Sequence, residues 1–171
     1  MTKMTTIAEN YNNIRAEIVE LLKTARSTAA RNVNSIMTAV YWEIGRRIVR
    51  VEQGGERRAE YGEQLIEQLA ADLTQRFGRG FGRANLWQMR AFYRAWPEGQ
   101  ILQTSSGESI SPLVSNNKGG DSSTVSVLAS HFALPWSAYV RLLSVKSPEA
   151  RTFYETEALP AGRGPLHRAG T

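Results

Sequence analysis

Cysteine is absent from this chain of 171 residues, and histidine occurs only twice. Without cysteine there can be no disulfide framework, no thiolate metal site and no cysteine nucleophile. His131 and His167 lie too far apart in the sequence to indicate an imidazole metal cluster. The composition therefore predicts no metal ligands and no cofactor.

The sequence also lacks the short motifs that most often carry catalysis. No Asp or Glu is followed by Lys at the second position, as the acid–x–lysine part of a metal-dependent nuclease site would require. The glycine-rich segment 78–82 does not lead into the GK[ST] of a phosphate-binding loop, and neither histidine accompanies a nucleophile elbow. These absences predict that the chain contains no catalytic residues.

Long apolar runs are missing as well. No stretch approaches the roughly 20 apolar residues that span a bilayer, and the polar N-terminus does not resemble a signal peptide. A length of 171 residues with 42% hydrophobic residues suits one packed domain, or one domain with an appendage. We therefore expect a cytoplasmic globular protein.

Proline is absent from the first 96 residues, which allows long uninterrupted helices there. Thr6 and Glu9 fit a capping box, and apolar residues then recur at steps of three and four, which is the helical period. The pattern predicts two helices, or one bent helix, over residues 6–52, ended by Gly54 and Gly55. The apolar positions are Ile7, Tyr11, Ile14, Ile18, Leu21, Ala25, Val33, Met37, Val40, Ile44, Ile48 and Val51.

Three glycines between two further helical patterns predict a tight turn. Apolar residues at every fourth position predict a helix over 65–77, and Gly78 occupies the usual place of a C-terminal glycine. After the glycine turn 78–82, a second helix is predicted over 83–96, before Pro97. The sequence thus predicts a mainly α fold with a long N-terminal helix or helix pair and a helix-turn-helix or winged-helix-like unit.

The segment 76–97 carries five arginines and no acidic residue. At 100° per residue, Arg83, Arg90 and Arg94 share the side of the predicted helix opposite its apolar face. Arginine contacts phosphates with two parallel hydrogen bonds, so this arrangement predicts a nucleic-acid surface made chiefly of phosphate contacts. The candidate nucleic-acid-binding residues are Arg76, Arg79, Arg83, Trp87, Gln88, Arg90 and Arg94.

Other interpretations of these residues stay open. An ordinary cationic surface helix, or a face for a protein partner, would show the same spacing. Trp87 either stacks on a base or is covered by a later segment, and Gln88 and Arg83 are the candidates for base contacts. Arginines alternate with glutamates in segment 43–52, which predicts a solvated face. Gly45 in that segment predicts a close helix crossing, since glycine inside a helix costs roughly 1 kcal/mol against alanine.

Beyond Pro97 the composition changes. Residues 103–124 are dominated by Ser, Thr, Gly, Asn and Pro, which is typical of a linker. Two short helices are then predicted near 137–145 and 148–158, the second opened by Ser147 and Pro148. The predicted division is a helical DNA-binding-type domain 6–97, a polar linker or insertion 98–130, a helical extension 131–158, and a disordered or aberrant tail 159–171.

Four segments, in order along the chain, carry a family resemblance. They are Asn34, YWEIGRRI at 41–48, AEYGEQLIEQLAADLTQRFGRGFGRANLWQMRAFYRAWP at 59–97 and LPWSAYVRLLSVKSPEARTFYETEA at 134–158. Together they resemble the N-terminal domain of the YhcG family, whose members join a helical, winged-helix-like domain to a C-terminal PD-(D/E)XK nuclease domain. The resemblance covers about residues 8–97 and 128–158. It implies a DNA-related role in which the N-terminal part binds DNA.

The chain departs from the family's pattern at three places. Gly82 stands where the family often has a helix-capping serine, which predicts a weaker cap. Ala138 stands where a histidine is often found, so any role of that histidine is lost. After Leu159 the sequence PAGRGPLHRAGT stands where the family's nuclease domain would follow. Such a tail is typical of out-of-frame coding or of a truncated gene.

Double-stranded DNA is therefore the expected partner. A different class of function is a helical scaffold, in which the long helix 6–52 joins copies of the chain or holds a separate nuclease subunit. A truncated remnant without function is the third interpretation.

Overall fold

The computed structural model describes residues 2–53, 58–102 and 122–159, with side chains described over 11–53, 61–99, 101 and 124–159. The predicted tail beyond Leu159 and most of the predicted linker lie outside these residues. By its contacts the chain divides into two compact units, Met1–Asn34 and Ser35–Thr171.

The described residues are mainly α-helical and contain no β-strand, which confirms the predicted fold class. A wing, which is a β-hairpin, is therefore not among them. The helices are α1 (Thr2–Gln53), α2 (Arg58–Phe77), α3 (Arg83–Ala95), α4 (Glu98–Leu102), α5 (Ser122–Ala129), α6 (Trp136–Leu142) and α7 (Pro148–Glu157).

Helix α1 is one continuous helix rather than a pair. It already begins at Thr2, so the predicted start at Thr6 was wrong, because a capping-box pattern does not end a helix that can extend beyond it. In the first unit the described side chains, from residue 11 to Asn34, are all exposed. Among its described residues, this part of α1 is therefore stabilised by its own backbone hydrogen bonds and by local ion pairs. In one such pair Lys23 Nζ lies 2.7 Å from Glu20 Oε1.

The second unit contains the core, and α3 lies at its centre. Phe92 of α3 and Trp96, which directly follows this helix, belong to a buried cluster with residues of α1, α4, α5 and α6. The indole Nε1 of Trp42 in α1 donates a hydrogen bond to the carbonyl oxygen of Trp96 at 2.7 Å, which satisfies a carbonyl at the end of α3. The other members of the cluster are Ala39, Ile101, Leu128, Phe132, Leu134, Tyr139 and Leu142.

A second buried cluster joins α3 to α1 and α2. Its members are Ile48, Ile66, Leu86 and Met89. A Cβ added to Gly45 would lie 2.0 Å from the carbonyl oxygen of Met89, so α1 and α3 approach each other too closely for any side chain there. The predicted close crossing is confirmed, and it orients α3 with its apolar side inward.

The range predicted as a linker is helical at both ends. Helices α4 and α5 lie within 98–130, and Ile101 and Leu128 of these helices are buried in the core. The linker prediction was therefore too wide, because these short helices are held by core contacts that composition does not show. Helix α7 begins as predicted, with Pro148 in its first turn and Ser147 Oγ accepting a hydrogen bond from the amide of Ala150.

Helix α7 is fixed to the end of α3 by a partly buried polar network. Glu155 accepts hydrogen bonds from Trp96 Nε1 and from the hydroxyl of Tyr139, both at 2.9 Å. Burial and the neighbouring Glu155 carboxylate raise the pKa of Tyr139, so this phenol remains a donor. The network fixes the C-terminal end of α3, on which two of the candidate arginines lie.

Candidate nucleic-acid interface

The turn between α2 and α3 is held by two glycines in the left-handed region of backbone space. Gly78 has φ of 77° and Gly80 has φ of 113°, values that other residues rarely adopt. The amide of Gly78 donates to the carbonyl of Thr74 at 2.9 Å and so closes α2, as predicted. Asn85 Nδ2 donates to the carbonyl oxygen of Gly80 at 2.9 Å, which joins the turn to the first part of α3.

Three candidate arginines surround this turn, and all three are exposed. Arg76 lies in the last turn of α2, Arg79 lies between the two glycines, and Arg83 begins α3. Arg83 forms an exposed ion pair of 3.1 Å with Glu67, whereas none of the ion pairs found among the described residues involves Arg76 or Arg79. We call residues 76–83 the arginine turn.

The two remaining arginines of α3 share one buried carboxylate. Glu52, near the end of α1, is 5% exposed; Arg90 Nε lies 2.7 Å from its Oε1 and donates to its Oε2 at 2.9 Å. Arg94 Nη2 donates to the same Oε2 at 3.1 Å. A Cβ at Gly62 of α2 would lie 2.7 Å from Glu52, so Gly62 leaves the space that this carboxylate occupies. We call Glu52, Arg90 and Arg94 the Glu52 cluster.

The interpretation of segment 43–52 as a solvated face holds for Arg47 and Arg50, which are exposed, but was wrong for Arg46 and Glu52. Arg46 is 4% exposed and Glu52 is 5% exposed. Arg46 donates two hydrogen bonds to Glu43, at 2.6 and 2.8 Å, while the more exposed Arg47 donates to the same carboxylate at 2.9 Å. Burial alone would raise the pKa of Glu43, but these hydrogen bonds outweigh burial and hold the pKa below its usual value. The carboxylate therefore stays charged and paired.

The candidates Trp87 and Gln88 lie on α3 at the border of the candidate interface, and both are half-buried. Trp87 packs against the cluster that contains Leu86 and Met89, and the guanidinium of Arg90 lies over its ring at 4.6 Å from the centroid. A cation over the indole face occupies the surface that a base would need for stacking. In the structure Arg90 therefore covers one face of the Trp87 ring, and that face is not available to stack on a base.

Sequence reasoning missed two residues of this surface. Glu52 was missed because its partners follow it by 38 and 42 residues. Phe77 was treated as an apolar residue of α2, yet it is 66% exposed between Arg76 and Arg79. Phe77 is the last residue of α2 and directly precedes Gly78, which ends the helix. This position was the sequence signal that could have indicated that its side chain is exposed.

Positive charge is concentrated at one end of the candidate interface. In the Glu52 cluster two arginines share one carboxylate, and Arg83 has a glutamate partner, whereas Arg76 and Arg79 have none among the described ion pairs. Arg94 is still 52% exposed and can present part of its guanidinium to an anion. The described residues contain no group of acids and histidines able to hold a metal ion. None of the described helices is long and apolar enough to cross a bilayer.

These features define a helical domain whose central helix is buried on one side and whose preceding turn presents arginine. Residues 17–163 match the domain family described as the DUF1016 N-terminal domain, and the chain belongs to this family. It is 48% identical over 157 residues to the Escherichia coli (strain K12) protein called "Putative nuclease YhcG". That match covers 89% of this chain and 42% of the relative, so the chain spans less than half of that protein's length. No solved structure matches the chain.

Proposed function

We propose that this chain is a cytoplasmic, non-catalytic DNA-binding module of a YhcG-like protein, and that the arginine turn is its phosphate-binding surface. The observation that supports the proposal most is the exposure of Arg76, Arg79 and Arg83 around a turn held by two glycines. Guanidinium groups on a rigid backbone lose little conformational freedom when they bind phosphates.

The arrangement fits a helix-turn-helix mode of contact. Helix α3 buries Leu86, Met89 and Phe92 on one side. On its opposite face Arg83 and Arg94 are exposed and can approach DNA, whereas Arg90 between them is held by Glu52. From Arg83 to Arg94 that face spans ~16 Å at 1.5 Å per residue, enough to follow several phosphates along a strand. The relative is named a "putative nuclease". We assign that activity to the part of the relative that this chain does not match.

The salt dependence of DNA affinity tests this proposal and counts the contacts. If Arg76, Arg79 and Arg83 each neutralise one phosphate while the Glu52 cluster stays intact, the slope of log K against log[salt] should be about −2.7, at ~0.9 per contact. Fluorescence anisotropy with a labelled duplex over a series of salt concentrations measures this slope. A slope near −4.5 would mean that Arg90 and Arg94 also leave Glu52 for phosphates. Absence of binding at low salt would contradict the proposal.

A second function, self-association through α1, is favoured by one specific observation. Tyr11, Ile14, Ile18 and Leu21 are at least half exposed, and they alternate at steps of three and four, which is the a/d spacing of a coiled coil. Isolated helices gain little stability without a packed apolar face. We propose that a second copy of the chain covers this face, since homo-oligomers are the commonest assemblies.

Placing one charge on this face should separate copies of the chain. Ile18→Glu is expected to lower the mass measured by light scattering, because it places a carboxylate in the contact between helices. Val19→Glu is the matched control, since Val19 is exposed on the same helix but lies off the a/d positions. Equal masses for the wild-type protein and both variants would exclude self-association through this face.

A further inference from the structure

Phe77 is a large apolar side chain in a polar, cationic setting. It is 66% exposed, and Arg76, directly before it, and Arg79, two residues after it, are exposed as well. Burying a phenylalanine side chain is favourable, so exposure here leaves a substantial contribution unused in the free protein. The most suitable occupant would be flat and apolar on its faces, with anionic groups within reach of the arginines.

The ring of Phe77 is supported from behind by other aromatic side chains. Its centroid lies 5.8 Å from that of Phe81 in a tilted contact. Phe81 in turn contacts Tyr41 edge to face at 6.4 Å, and Tyr41 contacts Trp136 at 5.1 Å. The series leads from the surface to the core of the second unit, so the exposed ring is backed by packed side chains.

The backbone on both sides of the ring is also held in place. Phe77 ends α2, and the next residue, Gly78, closes the helix through its bond to Thr74. Gly80 is fixed by the side chain of Asn85. An aromatic ring on a fixed backbone binds a planar partner with little loss of conformational freedom.

We propose that Phe77 stacks on an unpaired nucleobase while Arg76 and Arg79 contact the flanking phosphates. This inference rests on the proposed DNA binding and names the form of DNA that the surface prefers. In a duplex the bases are paired and stacked on their neighbours, whereas an unpaired base in a single strand offers a free face. The arginine turn therefore prefers DNA at a boundary between duplex and single strand over uninterrupted duplex.

The experiment compares a blunt duplex with the same duplex carrying a single-stranded tail, using fluorescence anisotropy with the whole chain. The wild-type protein should bind the tailed DNA more tightly, and Phe77→Leu should lose about tenfold on the tailed DNA but little on the blunt one. Phe77→Trp should retain the preference because it restores an aromatic face. Quenching of 2-aminopurine placed next to the junction should accompany wild-type binding and be absent with Phe77→Leu.

Phe153→Leu is the matched control, because Phe153 lies on α7 and is similarly exposed, at 59%. It should leave both affinities unchanged. Equal binding of the two DNAs by the wild-type protein, or an equal loss on both with Phe77→Leu, would overturn the stacking and leave the proposed DNA binding intact. Failure of the wild-type protein to bind either DNA would overturn the DNA binding itself, and the stacking with it.

Discussion

Replacing both Arg79 and Arg83 by glutamate is expected to weaken duplex binding by at least about 60-fold at about 0.1 M salt. Each lost phosphate contact removes ~0.9 from the salt slope, which corresponds to nearly tenfold in affinity at that salt concentration. The new carboxylates add repulsion toward the phosphates. The salt slope should fall by about 1.8, and the loss should be the same for different duplex sequences, because phosphate contacts carry no sequence information.

A matched control separates local contacts from total charge. Arg26 and Arg31 lie on α1 in the first unit and are both exposed, so replacing both by glutamate changes the net charge of the chain by the same amount. This control should retain most of the affinity if the arginine turn is the binding surface. An equal loss in both double variants would show that net charge alone holds the DNA. Circular dichroism should show unchanged helix content in each variant.

Glu52→Gln is expected to lower the free energy of unfolding by about 2 kcal/mol. The substitution keeps the shape of the side chain but removes the charge that Arg90 and Arg94 share, and Arg90 is only 18% exposed. Removing one partner of a fully buried pair costs about 3–5 kcal/mol. The smaller value reflects the exposure of Arg94 and the hydrogen bonds that a glutamine oxygen still accepts. Urea denaturation followed by circular dichroism measures the change.

Glu67→Gln provides the comparison for Glu52→Gln. Glu67 pairs with Arg83 at 3.1 Å, and both side chains are more than half exposed. Exposed pairs contribute about 0–1 kcal/mol, so this variant should unfold close to the wild-type midpoint. If the two variants lose the same stability, Glu52 does not hold α1 and α3 together in the way that its burial indicates.

Much of the local structure could be predicted from the sequence. The end of α2 at Gly78, the helix from Arg83, the inward face with Leu86 and Met89, and the opening of α7 at Ser147 all follow from signals within a few residues. Even the close crossing at Gly45 was predicted, because a glycine inside a helix needs a reason that lies outside the helix. Such signals act through backbone conformation and helical period, which are properties of short segments.

The candidate interface was predicted less completely. The arginine turn was recognised from composition and period, and the structure shows its arginines exposed. The same reasoning treated Arg90 and Arg94 as phosphate contacts like Arg83, and it used Phe77 only as an apolar residue that marks the helix 65–77. A helical wheel assigns a residue to a face but does not say what packs against that face.

The sequence by itself determined the helical class, the order of α1 to α3, the glycine turn between α2 and α3, and the concentration of arginine around it. Only the tertiary structure decided which of those arginines are open to a ligand. Glu52 approaches Arg90 and Arg94 from a helix 38 and 42 residues earlier in the chain, through space that Gly62 leaves in α2. Ion pairing depends on distance in space, and the crossing of α1 and α3 sets that distance. The exposure of Phe77 was decided in the same way, because the packing of the elements around α2 determines which of its apolar residues are covered.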